Sequence, residues 1–317
     1  MNDTTMPNAK LTKAPGTRNR KGYRIPWTLH LMVLPAVVLV FVFSYLPMSG
    51  IIIAFQDYKA ALGITGSPWV GLKHFNYMFE NEYFVKIIGN TLLFACSKVV
   101  LNLIIPFTFA LLLNEIRHMG YKRAIQTLVY LPHFLSWVIL SGILIDLLSQ
   151  TGIVNQFLMN LFGLEKPIFF LGDGTWFRLT IIFSDVWKEF GFNTIIFLAA
   201  LAGINPSLYE AAEVDGAGRF KQTMYVTIPS LIPILIVVAT LALGNVLNAN
   251  FDQVFNLYSP MIYQQGDIID TFVYREGLLS GQFSFATAVS LFKSVISLIL
   301  IVISYRLAYK LAGYRIF

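Results

Sequence analysis

Polar side chains that can bind a small solute interrupt several otherwise apolar segments of this 317-residue chain. The candidates are Lys98, Asn102, Asn245, Asn248, Asn250, Asp252, Gln253, Ser290 and Lys293. An amide both donates and accepts hydrogen bonds, so it suits sugar hydroxyls, whereas a lysine favours an anionic sugar. A charge near the centre of a bilayer costs about 2.5–3.5 kcal/mol, so such groups usually face a protein interior or a water-filled cavity. The pattern therefore predicts a polar translocation pathway.

A purely structural role accounts for the same residues. Asparagine and serine join neighbouring helices, opposite charges pair within the protein, and long side chains near helix ends reach the membrane surface. For the three asparagines both interpretations stay open, and for the two lysines internal pairing is preferred. Asp185, Lys188 and Glu189 are interpreted as a structural group near the outer surface, in which Asp185 and Lys188 pair because they lie three residues apart on a helix.

The composition places these residues in a membrane protein. The chain is 56% hydrophobic and 13% charged, whereas soluble domains carry about 25% charged residues. A bilayer-crossing helix needs roughly 20 mostly apolar residues. Runs of that length lie at about 27–55, 87–113, 125–148, 177–204, 231–249 and 286–311. The predicted fold is all-α and polytopic, with six transmembrane helices in one domain, 27–317, after a disordered basic cytoplasmic tail, 1–26.

Basic residues indicate which side of the membrane each loop faces. They cluster in residues 1–26, between the second and third spans, in 205–230 and after the sixth span, and the opposite loops are richer in acidic residues. The positive-inside rule then places both termini and the 205–230 loop in the cytoplasm. The net charge of +6 is explained by this topology, and no nucleic-acid partner is expected.

The sequence offers no machinery for catalysis. It contains no Walker A pattern, no metal-ligand cluster and no nucleophile elbow, and its four histidines are scattered. The single cysteine, Cys96, lies in an apolar run and excludes an intrachain disulfide. We therefore expect no catalytic residue, metal or cofactor in this chain, and an ATP-driven transporter built from it must use a separate ATPase.

One long polar segment, Asn205–Pro233, has strongly apolar flanks on both sides. Asn205 can cap a helix whose first residue is Pro206, and Ser207 with Glu210 forms a predicted capping box. Asp215-Gly216 predicts a turn, after which residues 218–220 begin a second short helix. A helix–turn–helix between two spans is rigid, so it can transmit force.

The same segment carries a resemblance to a known family. Glu210-Ala211-Ala212, three residues, Gly216, nine residues, and then 226–229 (VTIP) resemble the EAA loop of binding-protein-dependent ABC importer permeases. The segments LVYLPHFLSWV (128–138), IIDTFVYREGLL (268–279) and ATAVSLFKSVISLILI (286–301) are similar to carbohydrate-uptake permeases, and in particular to the LplB-like subgroup associated with oligo- and polysaccharide import.

The resemblance implies a permease with the fold of type I ABC importers, in a bacterial plasma membrane. Its partners would be a second, different permease subunit, two ATPase subunits that bind the ATP, an extracytoplasmic solute-binding protein and membrane lipid. The substrate would be an oligosaccharide, with a uronide among the candidates. The residues that couple transport to the ATPase would be Glu210, Ala211, Ala212, Asp215 and Gly216.

Two other functions fit parts of the sequence. A stand-alone secondary transporter would need no ATPase, but the chain has no visible internal repeat and no proton-relay chain. A non-transporting membrane scaffold would keep the 205–230 loop for docking, but it would need no continuous polar cavity. ATP-independent uptake by the purified chain would favour the secondary transporter.

Overall fold

A computed structural model describes residues 27–312, with all their side chains except those at positions 29, 308, 311 and 312. The predicted tail 1–26 and the residues after 312 lie outside this description. The helices are α1 Trp27–Val40, α2 Gly63–Gly66, α3 Lys73–Glu80, α4 Glu82–Glu115, α5 Met119–Tyr130, α6 Trp137–Leu148, α7 Ile153–Phe162, α8 Gly174–Ala202, α9 Pro206–Val214, α10 Arg219–Gln222, α11 Ile228–Gly244, α12 Phe251–Leu257, α13 Tyr263–Gly266, α14 Ile269–Tyr274 and α15 Phe283–Ala312. Within the described residues the β-structure is limited to an isolated bridge between Gln56 and Trp69.

Short turns of other helical types extend several of these helices. π-Helical turns occupy Phe41–Tyr45, Thr223–Thr227 and Arg275–Leu279, and 3₁₀ turns occupy Leu46–Phe55, Leu131–Phe134 and Pro260–Ile262. The chain divides into two compact units, Met1–Gly50 and Ile51–Phe317. The first contains α1, whose apolar side chains are exposed, as expected for a helix that meets lipid.

The helices confirm a polytopic, all-helical membrane fold. Within 27–312, helical stretches long and apolar enough to cross a bilayer are His30–Phe55, Glu82–Glu115, Trp137–Phe162, Arg219–Gly244 and Phe283–Leu307. A sixth is present if α8 and α9, which meet at an angle of 67°, are taken as one broken span. The side of the membrane that each terminus faces stays a prediction.

Two predicted spans differ in their limits from the helices observed. The run 125–148 is divided at Leu131–Phe134, because Pro132 cannot donate a backbone hydrogen bond, and Ser136 caps the helix that restarts at Trp137. The run 231–249 ends as a helix at Gly244, so the three asparagines at 245, 248 and 250 lie in the irregular segment that follows α11. Asparagine side chains compete with the helical backbone for hydrogen bonds, which explains the early end.

The core forms where two long helices meet the segment between α11 and α15. Helix α4 packs along α8, and α11 packs against α15. A cluster of fully buried side chains, including Phe94, Phe177, Ile181, Val254 and Ile268, joins α4 and α8 to residues 251–268. Residues 251–268 are therefore an ordered part of the core that joins α4 to α8.

Candidate functional site

A cavity of about 740 Å³ opens between α4, α8, α11, α15 and the segment that follows α11. Its walls combine apolar side chains of α11, such as Val238 and Leu241, with many polar ones. The polar residues that line it are Lys98, Asn102, Asp185, Asn193, Asn245, Asn248, Asn250, Asp270 and Lys293. The volume falls in the range of about 300–1,000 Å³ that small-molecule sites occupy.

The structure brings together six of the residues predicted for the pathway: Lys98, Asn102, Asn245, Asn248, Asn250 and Lys293. The other three lie outside this cavity. Asp252 is exposed in the first turn of α12, Gln253 is fully buried behind the cavity wall, and Ser290 lines a neighbouring pocket of about 380 Å³. A role for any of these residues in transport stays a prediction.

The ammonium group of Lys98 contacts three acceptors, one for each of its N–H donors. Its Nζ lies 3.2 Å from Asp185 Oδ1 and donates hydrogen bonds to Gln253 Oε1 at 2.5 Å and to the Ala249 carbonyl at 3.0 Å. The Asp185 carboxylate accepts from Asn102 and Asn250. With side chains only 8% exposed on both partners, this pair joins α4 to α8 and to the segment after α11.

The predicted partner of Asp185 is wrong. Lys188 does not pair with Asp185 but with Glu189, at 2.9 Å, and it also donates to the His133 carbonyl at 2.9 Å. His133 Nδ1 lies 2.8 Å from the second oxygen of Glu189. Spacing along one helix could not reveal this, because Asp185 faces α4 whereas Lys188 faces the 3₁₀ turn that precedes α6.

Lys293 forms the second lysine–aspartate pair in the cavity. Its Nζ lies 2.6 Å from Asp270 Oδ1 and 3.1 Å from Asn248 Oδ1. The lysine and aspartate side chains are 15% and 28% exposed, so this pair is more accessible than the first. Sequence reasoning missed Asp270, and the available signal was the need of a lysine inside an apolar helix for an acidic partner.

Three consecutive residues connect the two lysine–aspartate pairs. Asn248 accepts from Lys293, the Ala249 carbonyl accepts from Lys98, and Asn250 donates to Asp185. Asn250 has a φ of +70°, and it is the one residue other than glycine with a positive φ in the described part of the chain. Its Oδ1 also accepts from the backbone amide of Gln253, so Asn250 caps α12. Asparagine tolerates a positive φ better than most residues.

The predicted coupling segment forms two short helices and a tight turn. Asn205 Oδ1 accepts from the Ser207 amide at 3.1 Å, which confirms Asn205 as the N-cap of α9. The predicted capping box is wrong, because Ser207 lies inside the helix. Gly216 has a φ of +76°, a conformation that favours glycine, and the Ala217 amide donates back to the Ala212 carbonyl at 2.8 Å.

The predicted coupling residues lie on a surface that is exposed among the described residues. Glu210, Ala211, Asp215 and Gly216 are exposed, and Ala212 is half-buried. Two large apolar side chains beside them project into solvent, since Val214 is 88% and Phe220 76% exposed. Apolar exposure of this kind on a short, ordered loop is typical of an interaction surface.

Side-chain bonds attach this surface to two of the helices that line the cavity. The hydroxyl groups of Tyr209 on α9 and Thr227, just before α11, lie 2.9 Å apart, and Thr227 is buried. Arg219 on α10 lies 3.6 Å from Glu115 at the end of α4. A displacement of α9 can therefore reach α11 through Tyr209.

We expect Lys98→Met to destabilise the protein by about 3–5 kcal/mol, because Asp185 would stay buried without its charge partner. Melting of the purified protein in detergent, followed by tryptophan fluorescence, measures the effect. The double variant Lys98→Met, Asp185→Asn is the matched control and should melt above the single variant. Equal melting temperatures for Lys98→Met and the unmodified protein would show that the pair adds no stability.

Comparison with known proteins agrees with this architecture. Residues 102–313 match the family model described as "Binding-protein-dependent transport system inner membrane component". The chain is 43% identical to the polygalacturonan/rhamnogalacturonan transport system permease protein YteP of Bacillus subtilis strain 168, over 89% of this chain and 88% of that one. It is also 43% identical to protein LplB of the same strain, over 86% of each chain.

A solved structure shares the fold and a substantial part of the sequence. It is a chain of a bacterial alginate ABC transporter in complex with an alginate pentasaccharide-bound periplasmic protein. The match has a TM-score of 0.84 and 36% identity, over 92% of this chain and 96% of that one. Together, the family match, the relatives and the shared fold show that the chain belongs to the binding-protein-dependent transport system inner membrane components, as a permease subunit of an ABC importer and not an enzyme.

Proposed function

We propose that this chain forms one half of the translocation pathway for an oligosaccharide. Residues 205–230 would couple ATP binding and hydrolysis by an ATPase subunit to conformational change in that pathway. The observation that carries the proposal is the presence, in one chain, of a polar cavity and an exposed coupling surface joined by α11. The cavity offers amide groups at Asn102, Asn193, Asn245 and Asn248. Their donors and acceptors match the hydroxyl groups of a sugar.

The proposed assembly contains a second, different permease subunit and two ATPase subunits, and the ATP binds to the latter. Dependence on a solute-binding protein belongs to the family as a whole. The relative YteP is named for polygalacturonan/rhamnogalacturonan transport, and the similar structure holds a periplasmic protein loaded with an alginate pentasaccharide. An oligosaccharide released by such a binding protein is the substrate that we propose here.

The proposed coupling step begins at the exposed turn that contains Gly216. ATP binding would draw the ATPase subunits together and move α9, with Glu210, Ala211, Ala212 and Asp215 at the contact. The Tyr209–Thr227 bond would then pull on α11, whose far end leads into Asn245 and the cavity wall. This coupling mechanism requires the 205–230 loop and both termini to face the cytoplasm.

Purification through an affinity tag, after expression with the neighbouring transport genes, tests the assembly. We expect an ATPase and a second permease to co-purify, and we expect uptake of the oligosaccharide into proteoliposomes to require ATP and the binding protein. Uptake by this chain alone without ATP would instead establish a secondary transporter. A stable complex without any uptake would support a scaffold.

We expect Tyr209→Phe to lower oligosaccharide uptake about 2–10-fold while the ATPase subunits still co-purify, because a single hydrogen bond contributes about 0.5–1.5 kcal/mol. Thr227→Val removes the other side of the same bond. The double variant should therefore transport no worse than either single variant. Tyr225→Phe is the control, since Tyr225 is 78% exposed. Additive losses in the double variant would contradict a transmitting bond between the two residues.

A further inference from the structure

We propose that Lys293 is the residue that selects an acidic oligosaccharide, and that Asp270 occupies its ammonium group until a carboxylate of the substrate replaces it. The proposal rests on the proposed function, because it concerns the same cavity. It adds the charge of the substrate and assigns separate roles to the two lysine–aspartate pairs.

The two pairs differ in how completely the protein satisfies the lysine. Lys98 is surrounded by an aspartate, an amide oxygen and a backbone carbonyl, which use all three of its donors. Lys293 contacts one carboxylate oxygen of Asp270 and one amide oxygen of Asn248, so one of its three donors is left for a further acceptor. The Lys293 pair is also the more exposed of the two and lines the cavity.

Asp270 differs from Asp185 in the same way. Asp185 accepts from Asn102 and Asn250 in addition to Lys98, so three groups from three parts of the chain fix its carboxylate. Lys293 is the side-chain partner that fixes the Asp270 carboxylate. Replacing that single partner is a smaller change than dismantling the contacts of Asp185.

The structure also contains a place to which the Asp270 carboxylate can move. Asp270 lines both the 740 Å³ cavity and the neighbouring pocket of about 380 Å³. The hydroxyl-bearing residues Tyr274, Thr287 and Ser290 line that second pocket. A side-chain rotation toward that pocket would exchange the ammonium partner for the hydroxyl groups of Tyr274 and Ser290, which offset the cost of facing its apolar walls.

The exchange at Lys293 favours an acidic sugar over a neutral one. Two lysines and two aspartates line it, so its ionisable side chains sum to zero. A neutral sugar carries no charged group that could replace Asp270 at Lys293, whereas a uronate carboxylate competes with Asp270 for the ammonium group. Asp270 therefore weakens the binding of an acidic sugar, and this leaves the sugar free to depart once it has crossed.

Calorimetry on the purified permease–ATPase complex, without the binding protein, tests the inference with two probes of equal length. One is an oligogalacturonate and the other is its methyl-esterified, uncharged form. We expect Asp270→Asn to tighten binding of the acidic probe about tenfold and Lys293→Gln to weaken it about tenfold, with less than a twofold change for the ester. Lys293→Arg should retain the preference for the acidic probe.

Lys86→Gln is the matched control, since it removes an exposed lysine from α4 and should change neither affinity. The inference is overturned if Asp270→Asn leaves the affinity for the acidic probe unchanged, or if Lys293→Gln weakens both probes equally. In either case binding of both probes by the unmodified complex would leave the proposed function standing. Binding of neither probe by the unmodified complex would overturn both.

Discussion

Replacing Gly191 by alanine should destabilise the protein by about 3 kcal/mol or more, although alanine favours a helix over glycine by about 1 kcal/mol. Gly191 lies on α8 against the end of α5. A Cβ added there would lie 2.0 Å from the Val129 carbonyl oxygen and 2.6 Å from its carbon. These are backbone atoms, so no side-chain rotation can relieve the overlap, and the two helices must separate.

Gly89→Ala in α4 is the matched control for this experiment. It also lies in a long apolar helix, but nothing approaches within 4 Å of an added Cβ there. We expect its melting temperature to equal or exceed that of the unmodified protein. If both alanine variants melt at the same temperature, the close approach of α5 and α8 does not contribute to stability.

Separating these helices would also disturb the contacts of the charged side chains near Gly191. The His133 ring stacks on Phe192 with a centroid distance of 3.9 Å, and it contacts Glu189, which pairs with Lys188. The two contacts of His133 join α8 to the 3₁₀ turn that follows α5. The glycine thus permits the approach that buries Lys188 beside the half-buried Glu189.

The sequence was sufficient to predict the elements whose signals are local. Apolar runs of about 20 residues predict membrane helices because lipid demands them, and Asn205, Pro206 and Gly216 predict a cap, a first turn and a tight turn by their own backbone preferences. The local conformation of residues 205–216 was therefore largely predictable, apart from the capping box. The family resemblance rested on the same fixed spacings.

The partners of the buried charges could not be predicted in this way. Lys98 and Asp185 lie on different helices, and Lys293 on α15 pairs with Asp270 on α14, outside the six predicted apolar runs. Which helix face meets which is decided by packing across the whole fold. The spacing of Asp185 and Lys188 favoured a local pair, but the need of Lys98 for a buried partner prevailed.

Asp267→Asn is a further substitution with a large expected effect, about 3–5 kcal/mol, because it leaves Arg275 with only its longer contact to Glu276, at 3.7 Å. Asp267 is fully buried. One oxygen accepts from Arg275 at 2.5 Å and from the Tyr83 hydroxyl at 2.8 Å, and the other accepts from Thr271 at 2.6 Å. Burial opposes the charge of Arg275, but the hydrogen bond and charge of Asp267 raise the pKa of its guanidinium above the ordinary value.

Two further variants test whether the lost stability comes from breaking the buried ion pair or from removing any carboxylate in this segment. Asp252→Asn removes an exposed carboxylate from the first turn of α12 and should cost no more than about 1 kcal/mol. Asp267→Asn combined with Arg275→Met removes both charges of the buried pair and leaves unpaired only Glu276, whose side chain is 24% exposed, so it should melt above Asp267→Asn alone. If Asp267→Asn and Asp252→Asn lower the melting temperature equally, the network around Asp267 does not hold the segment.

The network around Asp267 lies next to the cavity, so we expect its loss to change the cavity wall. Asp267 fixes the start of α14, and Asp270, three residues later, holds Lys293 in the cavity wall. The Asp267 backbone carbonyl also accepts from Asn90 on α4, and Asn90 accepts in turn from Arg178 on α8. We therefore expect Asp267→Asn to weaken oligosaccharide uptake even at temperatures where the protein stays folded. Normal uptake at such temperatures would show that α14 keeps its place without the pair.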